Sequence, residues 1–277
     1  MDIPDTAGSS AGSAAGSSAE SPKDTPNVQS LVRGLSVIRT FNDDRPRHTL
    51  AHVAEATGLA RATARRFLHT LVSVGYAGTD GTEFWLTPRI LELGYSYMSG
   101  LGLPAIAQPR LEELSRRIGE SSSLSVLDGA DVVYVNRVPV RRIMTVSITI
   151  GTRFPAYATS MGRVILAGMT PEDLDAYLAE VDFKAYTPST IVDPEQLRAE
   201  IALVREQGFA IVDQELEPGL RSLAAPVHSP SGKVVAAVNV STQTVVHHLD
   251  ELHNSFLPAL IDTAELISAD LAATELF

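Results

Sequence analysis

A cluster of basic residues lies in a stretch of the chain that has no acidic side chain. Residues 56–79 contain no Asp or Glu, and this window carries Arg61, Arg65, Arg66 and His69. Cationic side chains gathered on one helix attract phosphate, and arginine can also hydrogen-bond the edge of a guanine base. The pattern therefore predicts noncovalent recognition of double-stranded nucleic acid.

The basic residues share the outer side of a helix that we predict over residues 60–74. At about 100° per residue, the apolar residues Ala64, Leu68 and Leu71 fall together on one side of this helix. The arginines must then face outward. The residues that we predict to contact DNA are Arg61, Ala62, Thr63, Arg65, Arg66 and His69.

The elements predicted before and after this helix follow the order of a known DNA-binding fold. Apolar residues at helical spacing predict a first helix over residues 28–41, and a second helix follows Thr49, which can cap it, and ends near Gly58. The pattern of residues 76–86 predicts two short strands joined by a turn that contains glycine. Three helices followed by a hairpin predict a winged helix-turn-helix over residues 27–87.

Charge separates this segment from the rest of the chain. Residues 27–94 hold eight arginines and six acidic residues, a net charge of +2, whereas the whole protein has a formal net charge of −11. An exposed basic helix face is also common on ordinary helical domains, where it is merely solvated. The ordered combination of helices, acid-free third helix and hairpin favours DNA binding.

The length and composition of the chain limit the number of domains and the classes of protein to which it can belong. The chain has 277 residues, 44% of them hydrophobic, which favours two domains, and its apolar runs are too short to span a membrane. It contains no cysteine, which excludes a disulfide scaffold, a thiolate zinc site and a cysteine nucleophile. We expect a cytoplasmic protein that binds no membrane. Its predicted parts are a disordered tail (1–26), the winged helix-turn-helix (27–87), a linker helix (88–103) and a second domain (104–277).

The sequence of the second domain predicts a sheet that is covered by helices. Helices are predicted over residues 105–118, from Ser160, over 171–180, over 194–207 and at the C-terminus. Six strands are predicted over residues 123–127, 132–137, 144–150, 209–213, 221–227 and 233–241. The predicted fold class is α+β, with one antiparallel sheet covered by helices.

Several motifs in this order resemble the IclR family of bacterial transcriptional regulators, over about residues 28–272. The family joins a winged helix-turn-helix through a linker helix to a GAF-like effector-binding domain, and it usually has lysine where Arg163 stands. Residues 137–146 resemble the branch that controls protocatechuate and 4-hydroxybenzoate catabolism, the β-ketoadipate pathway regulators. The motifs that carry the resemblance are Thr57-Gly58-Leu59 with Thr63 and Arg66, Gly151-Thr152, Ala158 to Arg163, Asp213-Gln214-Glu215, Gly219 to Val227, and Asn239-Val240-Ser241.

The resemblance implies operator DNA as one partner, a small aromatic or dicarboxylic acid effector as another, and a homodimer or dimer of dimers. It implicates six residues in effector binding, namely Ser160, Met161, Asp213, Ser222, Asn239 and Ser241. An aromatic acid also needs a cation, for which Arg137 is the candidate. Asn239 and Ser241 are two apart on a strand and project to one face. Taken singly, Ser160 could instead cap its helix, Asp213 could pair with an arginine, and Arg137 could be part of a structural ion pair.

The sequence gives weaker support for an enzyme. Ser160-Met161-Gly162 is half of a nucleophile elbow, but Ala158 stands where the leading glycine should be. The histidines of residues 247–253 do not have the spacing of the His-Glu-x-x-His metal motif. We expect no catalytic residue, metal or cofactor. The competing class is a small-molecule sensor or hydrolase-like enzyme whose N-terminal module binds a protein instead of DNA.

Overall fold

The computed structural model describes residues 27–42, 45–94, 102–140 and 148–274. The chain divides into two compact units, Met1–Glu92 and Leu93–Phe277. The predicted disordered tail lies outside the described residues.

The first unit is a three-helix domain with a small sheet. Its three short strands pair antiparallel in the order β1-β3-β2. The predicted three helices and hairpin are therefore present, with boundaries within three residues of those expected. The elements are α1 (Gln29–Ile38), β1 (Arg47–Thr49), α2 (Leu50–Thr57), α3 (Arg61–Ser73), β2 (Ala77–Thr79) and β3 (Glu83–Leu86).

Local sequence explains the turn between α2 and α3. The Thr49 side chain accepts a hydrogen bond from the His52 backbone amide and so caps the start of α2. Gly58 ends this helix at φ 65°, in the left-handed region that glycine adopts without a Cβ penalty. A small core holds the helices together and is formed by Val37, Val53, Ala54, Ala64, Leu68 and Phe84.

Strand β1 was not predicted. Its three residues show no informative alternation, and the strand exists because it pairs with β3, with Arg47 opposite Trp85. After β3 the chain forms a 3₁₀ turn over Pro88–Ile90 and is helical over residues 91–94. Most of the remaining part of the predicted linker helix, residues 95–101, lies outside the described residues.

The second unit begins with α4 (Leu103–Ile118) and is built on a six-stranded antiparallel sheet of order β6-β5-β4-β9-β8-β7. The predicted α+β fold with a single helix-covered sheet is thus confirmed. The sheet strands are β4 (Ser121–Asp128), β5 (Asp131–Val138), β6 (Arg153–Pro155), β7 (Ala210–Asp213), β8 (Leu220–His228) and β9 (Val234–Gln243). The remaining helices are α5 (Ser160–Ala167), α6 (Pro171–Glu180), α7 (Pro194–Gln207), α8 (Leu249–Glu251) and, after a π turn over Leu252–Phe256, α9 (Leu257–Ala273).

Helices pack on both faces of this sheet, and alternation along the strands explains the division. Leu223 and Val238 face a core shared with α4 and α9, whereas Ala224 and Ala237 face a second core shared with α5, α6 and α7. Small alanines on the second face let α5 approach the sheet closely.

One predicted strand is wrong in part. Residues 148–150 of the predicted strand 144–150 are not in a strand, and residues 144–147 lie outside the described residues. The edge strand forms at Arg153–Pro155 instead, paired with β5. It is short and contains a proline, which an edge strand tolerates but a sequence pattern does not signal. Among the described residues, none of the helices is long and apolar enough to cross a membrane.

Candidate DNA-binding helix and ligand cavity

Helix α3 presents the predicted basic residues to solvent. Arg61, Ala62, Arg65, Arg66 and His69 are exposed, and Thr63 is half-buried. Ala64 and Leu68 are completely buried on the opposite side, so packing of the apolar face forces the cationic side outward. The structure therefore brings all six residues predicted to contact DNA onto one helix, most of them on its accessible side.

The start of α3 adds a feature that the sequence did not signal. Its N-cap is Ala60, which provides no side-chain hydrogen bond to the first amides. Free amides at a helix start attract anions, including phosphate. Arg61 lies directly at this end of the helix.

The hairpin beside α3 has a defined tip and body. Asp80 accepts backbone hydrogen bonds from Glu83 and Thr82. These bonds order the turn and, with the smaller effect of Arg47, lower the pKa of the Asp80 carboxyl. The Arg47 guanidinium lies 4.2 Å from the centroid of the Trp85 ring. The hairpin therefore carries a stacked Arg–Trp pair within the basic unit.

A cavity of about 570 Å³ lies in the second unit, between the sheet and the elements that cover its α5 side. This volume suits a small organic ligand. Six of the seven residues predicted to contact an effector line the cavity: Arg137, Ser160, Met161, Ser222, Asn239 and Ser241.

Strand register explains why these residues meet. Arg137 of β5 lies opposite Ser123 of β4, which lies opposite Asn239 of β9. In the next row on the same face, Ser241 lies between Ser121 and Ser222 of the neighbouring strands. Four strands thus place a polar patch on one face of an otherwise apolar sheet.

Arg137 places a positive charge in the wall of the cavity. It is half-buried and donates a hydrogen bond to Ser123 Oγ at 3.2 Å. Burial lowers the pKa of Arg137, partly offset by Tyr134, but an arginine remains cationic at neutral pH. Within the described part of the chain it has no carboxylate partner, whereas Arg153, which also lines the cavity, is bonded to Asp128 and Asp131. An anionic ligand would offset the desolvation of Arg137.

Two buried polar atoms in the cavity wall are without a hydrogen-bond partner among the described residues. They are Ser160 Oγ and Asn239 Oδ1, on side chains that are 1% and 3% exposed. The Ser160 hydroxyl does not cap α5, because Thr159 accepts the hydrogen bond from the Gly162 amide. Asn239 uses its Nδ2 to donate to Ser241 Oγ. Unsatisfied buried polar atoms are costly, so these two atoms favour a hydrogen-bonding molecule in the cavity.

Asp213 is not among the cavity-lining residues, which corrects its predicted role as an effector contact. Along β7 it is Val212 that lines the cavity, so Asp213 projects to the opposite face. Both its carboxylate oxygens accept hydrogen bonds of 2.9 Å from Arg221. Its role in this structure is an ion pair.

Sequence reasoning missed the aromatic and acidic walls of the cavity. Tyr134 and Phe154 meet edge to face at 5.8 Å, and burial raises the pKa of Tyr134 to about 12, so it stays protonated at neutral pH. Tyr186 reaches the cavity from an irregular segment that has no sequence signal. Glu120 lines the cavity as well and is 2% exposed, accepting from Thr242 and contacting His247.

The geometry of α5 depends on Gly162. A Cβ at this position would lie 2.0 Å from the Ala156 carbonyl oxygen. Only glycine allows the 3₁₀ turn Ala156–Ala158 to pack against the start of the helix that carries Ser160.

His247, one of the histidines near the C-terminus, has two carboxylate partners. His247 Nε2 lies 2.9 Å from Glu120 Oε1 and its Nδ1 lies 2.8 Å from Glu251 Oε2. Ser160 Oγ receives no hydrogen bond from a described histidine. Ser160 and the described histidines therefore do not form a hydrogen-bonded nucleophile–base pair in this structure.

Comparison with known proteins agrees with this geometry. The chain is 45% identical over 233 residues to the Pca regulon regulatory protein of Pseudomonas putida, covering 84% of this chain and 80% of that protein. A solved structure described as a transcriptional regulator from Rhodococcus sp. RHA1 is 58% identical, with a TM-score of 0.82, covering 90% of this chain and all of that one. An IclR homolog from Microbacterium hydrocarbonoxydans, solved with 4-hydroxybenzoate, is 26% identical with a TM-score of 0.78, covering 88% and 99% of the two chains.

Both parts of the chain match family descriptions. Residues 30–81 match the IclR helix-turn-helix domain, and residues 95–269 match the family described as bacterial transcriptional regulator IclR C-terminal. The resemblance deduced from the sequence motifs is confirmed. With a basic helix-turn-helix in one unit and a ligand-sized cavity in the other, the chain belongs to the IclR family of bacterial transcriptional regulators.

Proposed function

We propose that this protein regulates genes of aromatic acid catabolism, and that its DNA affinity responds to a small organic acid held in the second unit. The observation that carries the proposal is the cavity in which Arg137 has no carboxylate partner among the described residues. Two relatives support the choice of pathway: one is named as a regulator of the Pca regulon and the other was solved with 4-hydroxybenzoate.

The chemistry is coupling between two binding events. An effector that binds two arrangements of the protein unequally shifts DNA affinity by that difference, and DNA shifts effector affinity by the same factor. The proposed DNA contacts are the exposed residues of α3. The proposed effector contacts are Arg137, Ser160, Met161, Ser222, Asn239 and Ser241.

Calorimetry tests the effector site. Protocatechuate, 4-hydroxybenzoate and β-ketoadipate are titrated into the full chain, and we expect at least one to bind at about one per subunit. Arg137→Ala should weaken binding by about 1.5 to 3 kcal/mol, since it removes a charged hydrogen-bonding partner. Arg116→Ala is the matched control, because this arginine is exposed and does not line the cavity.

Two results would contradict the proposal. One is the absence of both heat and thermal stabilisation with all three acids. The other is binding that Arg137→Ala leaves unchanged. A DNA sequence that the protein binds can be selected from a random pool. The coupling is then measured as the change in affinity for this DNA when the effector acid is added.

We further propose a homodimer or a dimer of dimers, because α1 carries an exposed apolar stripe. Val28, Leu31, Val32 and Leu35 are 65%, 62%, 49% and 44% exposed. They follow helical spacing, so they lie on one side of the helix. A second copy that buries this stripe would also match the two half-sites that helix-turn-helix dimers read.

Light scattering after size-exclusion chromatography tests the oligomer. Leu31→Glu places a charge in the stripe and should lower the measured mass, whereas Arg33→Glu changes an exposed residue of the same helix and should not. An unchanged mass for Leu31→Glu would remove this face from the interface.

A further inference from the structure

Gln214 has an unusual backbone conformation beside the cavity. Its φ of 62° lies in the left-handed region, and no other non-glycine residue in the described ranges has a positive φ. Because glutamine has a Cβ, this conformation is strained and persists only where neighbouring contacts hold it. Gln214 directly follows β7, and the segment after it supplies Leu216, Glu217 and Leu220 to the wall of the cavity.

Hydrogen bonds show what the strained conformation achieves. Gln214 and Leu220 lie opposite each other just beyond the end of the β7–β8 ladder, and a regular antiparallel pair of this kind exchanges two backbone hydrogen bonds. One is kept, from the Gln214 amide to the Leu220 carbonyl at 2.8 Å. In place of the other, the Leu220 amide donates to the Glu217 carbonyl at 3.1 Å, and the Gln214 carbonyl accepts from the Thr187 hydroxyl at 2.7 Å. The left-handed turn therefore directs one carbonyl out of the sheet.

This carbonyl belongs to a clamp between two segments of the cavity wall. We define the threonine clamp as Thr187, Thr190, Gln214 and Glu215. Thr190 Oγ1 donates to the Glu215 carbonyl at 2.6 Å, next to the bond from Thr187 to Gln214. Both threonines and Glu215 are buried, so water does not readily replace these bonds. Tyr186, which directly precedes Thr187, lines the cavity, so the clamp joins its wall to the wall formed by residues 216–220.

Glu215 connects the clamp to a third wall of the cavity. Its carboxylate accepts from the Ile191 amide at 3.1 Å and forms an ion pair with Arg163 of α5. Helix α5 begins with Ser160 and Met161, both of which line the cavity. The clamp thus joins three segments that are far apart in sequence and that share one cavity. A change in its backbone would move side chains on more than one wall.

We infer that Gln214, held in its left-handed conformation by Thr187, is a positioning residue for the cavity. It sets the distance between the wall of Tyr186 and the wall formed by residues 216–220, and so it sets how tightly an effector is held. This inference rests on the proposed function, since it names what fixes the shape of that site. Gln214 and Thr187 then act on effector affinity through one shared conformation.

Two pairs of variants of the full chain test the inference, with 4-hydroxybenzoate and protocatechuate as probes. Thr187→Val removes the hydroxyl and keeps a branched side chain, whereas Thr187→Ser keeps the hydroxyl. Gln214→Val introduces a β-branched residue, for which the left-handed region is strongly disfavoured, whereas Gln214→Asn introduces a residue that tolerates it and keeps an amide oxygen. Thr263→Val is the matched control, because it removes a buried hydroxyl that donates to a carbonyl within α9, outside the cavity.

Calorimetry measures affinity at a temperature where circular dichroism shows every variant to be folded. Thr187→Val and Gln214→Val should each weaken binding about tenfold, the effect of one buried hydrogen bond. The double variant should lose no more than about twentyfold, because both changes abolish the same conformation, whereas independent effects would multiply to about a hundredfold. Thr187→Ser, Gln214→Asn and Thr263→Val should stay within about threefold of the unmodified protein. A residue that only stabilises the fold would leave the affinity of the folded protein unchanged.

Amide hydrogen exchange without ligand tests the clamp itself. In Thr187→Val and in Gln214→Val, exchange should accelerate in residues 186–191 and 214–220 together, because each segment is held by the other. Thr263→Val should accelerate exchange in neither segment. This measurement does not depend on knowing the effector.

The outcomes separate the inference from the proposed function. Unchanged affinity in folded Thr187→Val or Gln214→Val overturns the positioning role and leaves the proposed function standing. Multiplied effects in the double variant, or exchange that accelerates in only one of the two segments, overturn the shared clamp. If the unmodified protein binds neither probe nor β-ketoadipate, the proposed function fails and the positioning role fails with it, whereas joint acceleration of exchange would still support the clamp.

Discussion

Arg163 shows at the level of one residue what an arginine contributes where the family usually has lysine. It is completely buried, its Nε donates to the Tyr157 carbonyl at 3.0 Å, and its guanidinium forms an ion pair with Glu215. A lysine ammonium could reach one of these partners but does not have the planar fork that reaches both. Arg163 therefore ties α5 to the segment that follows β7, on the cavity side of the sheet.

Removing this buried charge should be costly. Arg163→Met leaves Glu215 buried without its cation, and we expect the free energy of unfolding to fall by about 3 to 5 kcal/mol. Chemical denaturation measures this change. Combining Arg163→Met with Glu215→Leu removes both charges and should recover much of the loss, whereas equal stabilities of the single and double variants would show that the charge of Glu215 is not the cause.

On α3 a single arginine should carry much of the sequence recognition. Arg66 is exposed on the face opposite Ala64 and Leu68, where a DNA groove can reach it. If it reads a guanine edge, Arg66→Ala should weaken specific binding by about 1 to 3 kcal/mol. Gel-shift titration at fixed salt measures the effect, with Arg117→Ala of the second unit as the control for general loss of charge. Unchanged affinity in folded Arg66→Ala would place Arg66 outside the interface.

The hairpin β2–β3 is the wing of the winged helix-turn-helix, and packing around Trp85 defines its shape. Gly78 allows the Trp85 ring to pack directly on the neighbouring strand, since a Cβ there would lie 2.6 Å from the indole. Arg47 of β1 covers the ring and also pairs with Asp80 at the turn, with 3.7 Å between the charged atoms. Three strands thus hold the only tryptophan of the protein beside Arg47.

Because of this position, Trp85 is an intrinsic fluorescent probe of DNA binding at the hairpin. Operator DNA that contacts the wing should change its fluorescence, because the stacked Arg47 and the polarity around the ring would both be altered. Effector alone should change it much less, since the cavity lies in the other unit. A large response to effector with none to DNA would contradict the assignment of this hairpin as a DNA-contacting wing.

Charge is distributed unequally between the two units of the chain. The acidic net charge of −11 belongs to the chain as a whole, while the segment with the helix-turn-helix is basic. Phosphate attraction depends on local potential, so an acidic body does not prevent a basic helix from binding DNA. The acidic remainder instead disfavours nonspecific contact of the second unit with DNA.

Salt should therefore separate the two binding events. DNA affinity should fall at least about tenfold between 50 and 200 mM salt, because each phosphate contact releases counterions. Effector affinity should change less than about threefold, since Arg137 is half-buried and poorly screened. Fluorescence anisotropy for DNA and calorimetry for the effector measure the two slopes. DNA affinity that is independent of salt would favour the protein-binding alternative for the N-terminal module.

Sequence alone determined the parts of this protein that depend on local patterns. The 3.6-residue period located α3, α6 and α7, and together with the Thr49 cap it located α2. Pro171–Glu180 and Pro194–Gln207 match their predicted bounds. The acid-free window located the basic helix. The paired spacing of Asn239 and Ser241 placed both on one face of a strand, and both line the cavity.

Features that depend on pairing between distant segments follow from the folded structure and not from local sequence patterns. Strands β1 and β6 exist because they pair with β3 and β5, and neither has a pattern of its own. Asp213 and Val212 are adjacent in sequence, yet strand alternation sends one to an ion pair with Arg221 and the other to the cavity. Glu120 and Tyr186 reach the cavity through sheet register and an irregular segment, and a one-dimensional pattern holds no information on which distant residues will share a surface.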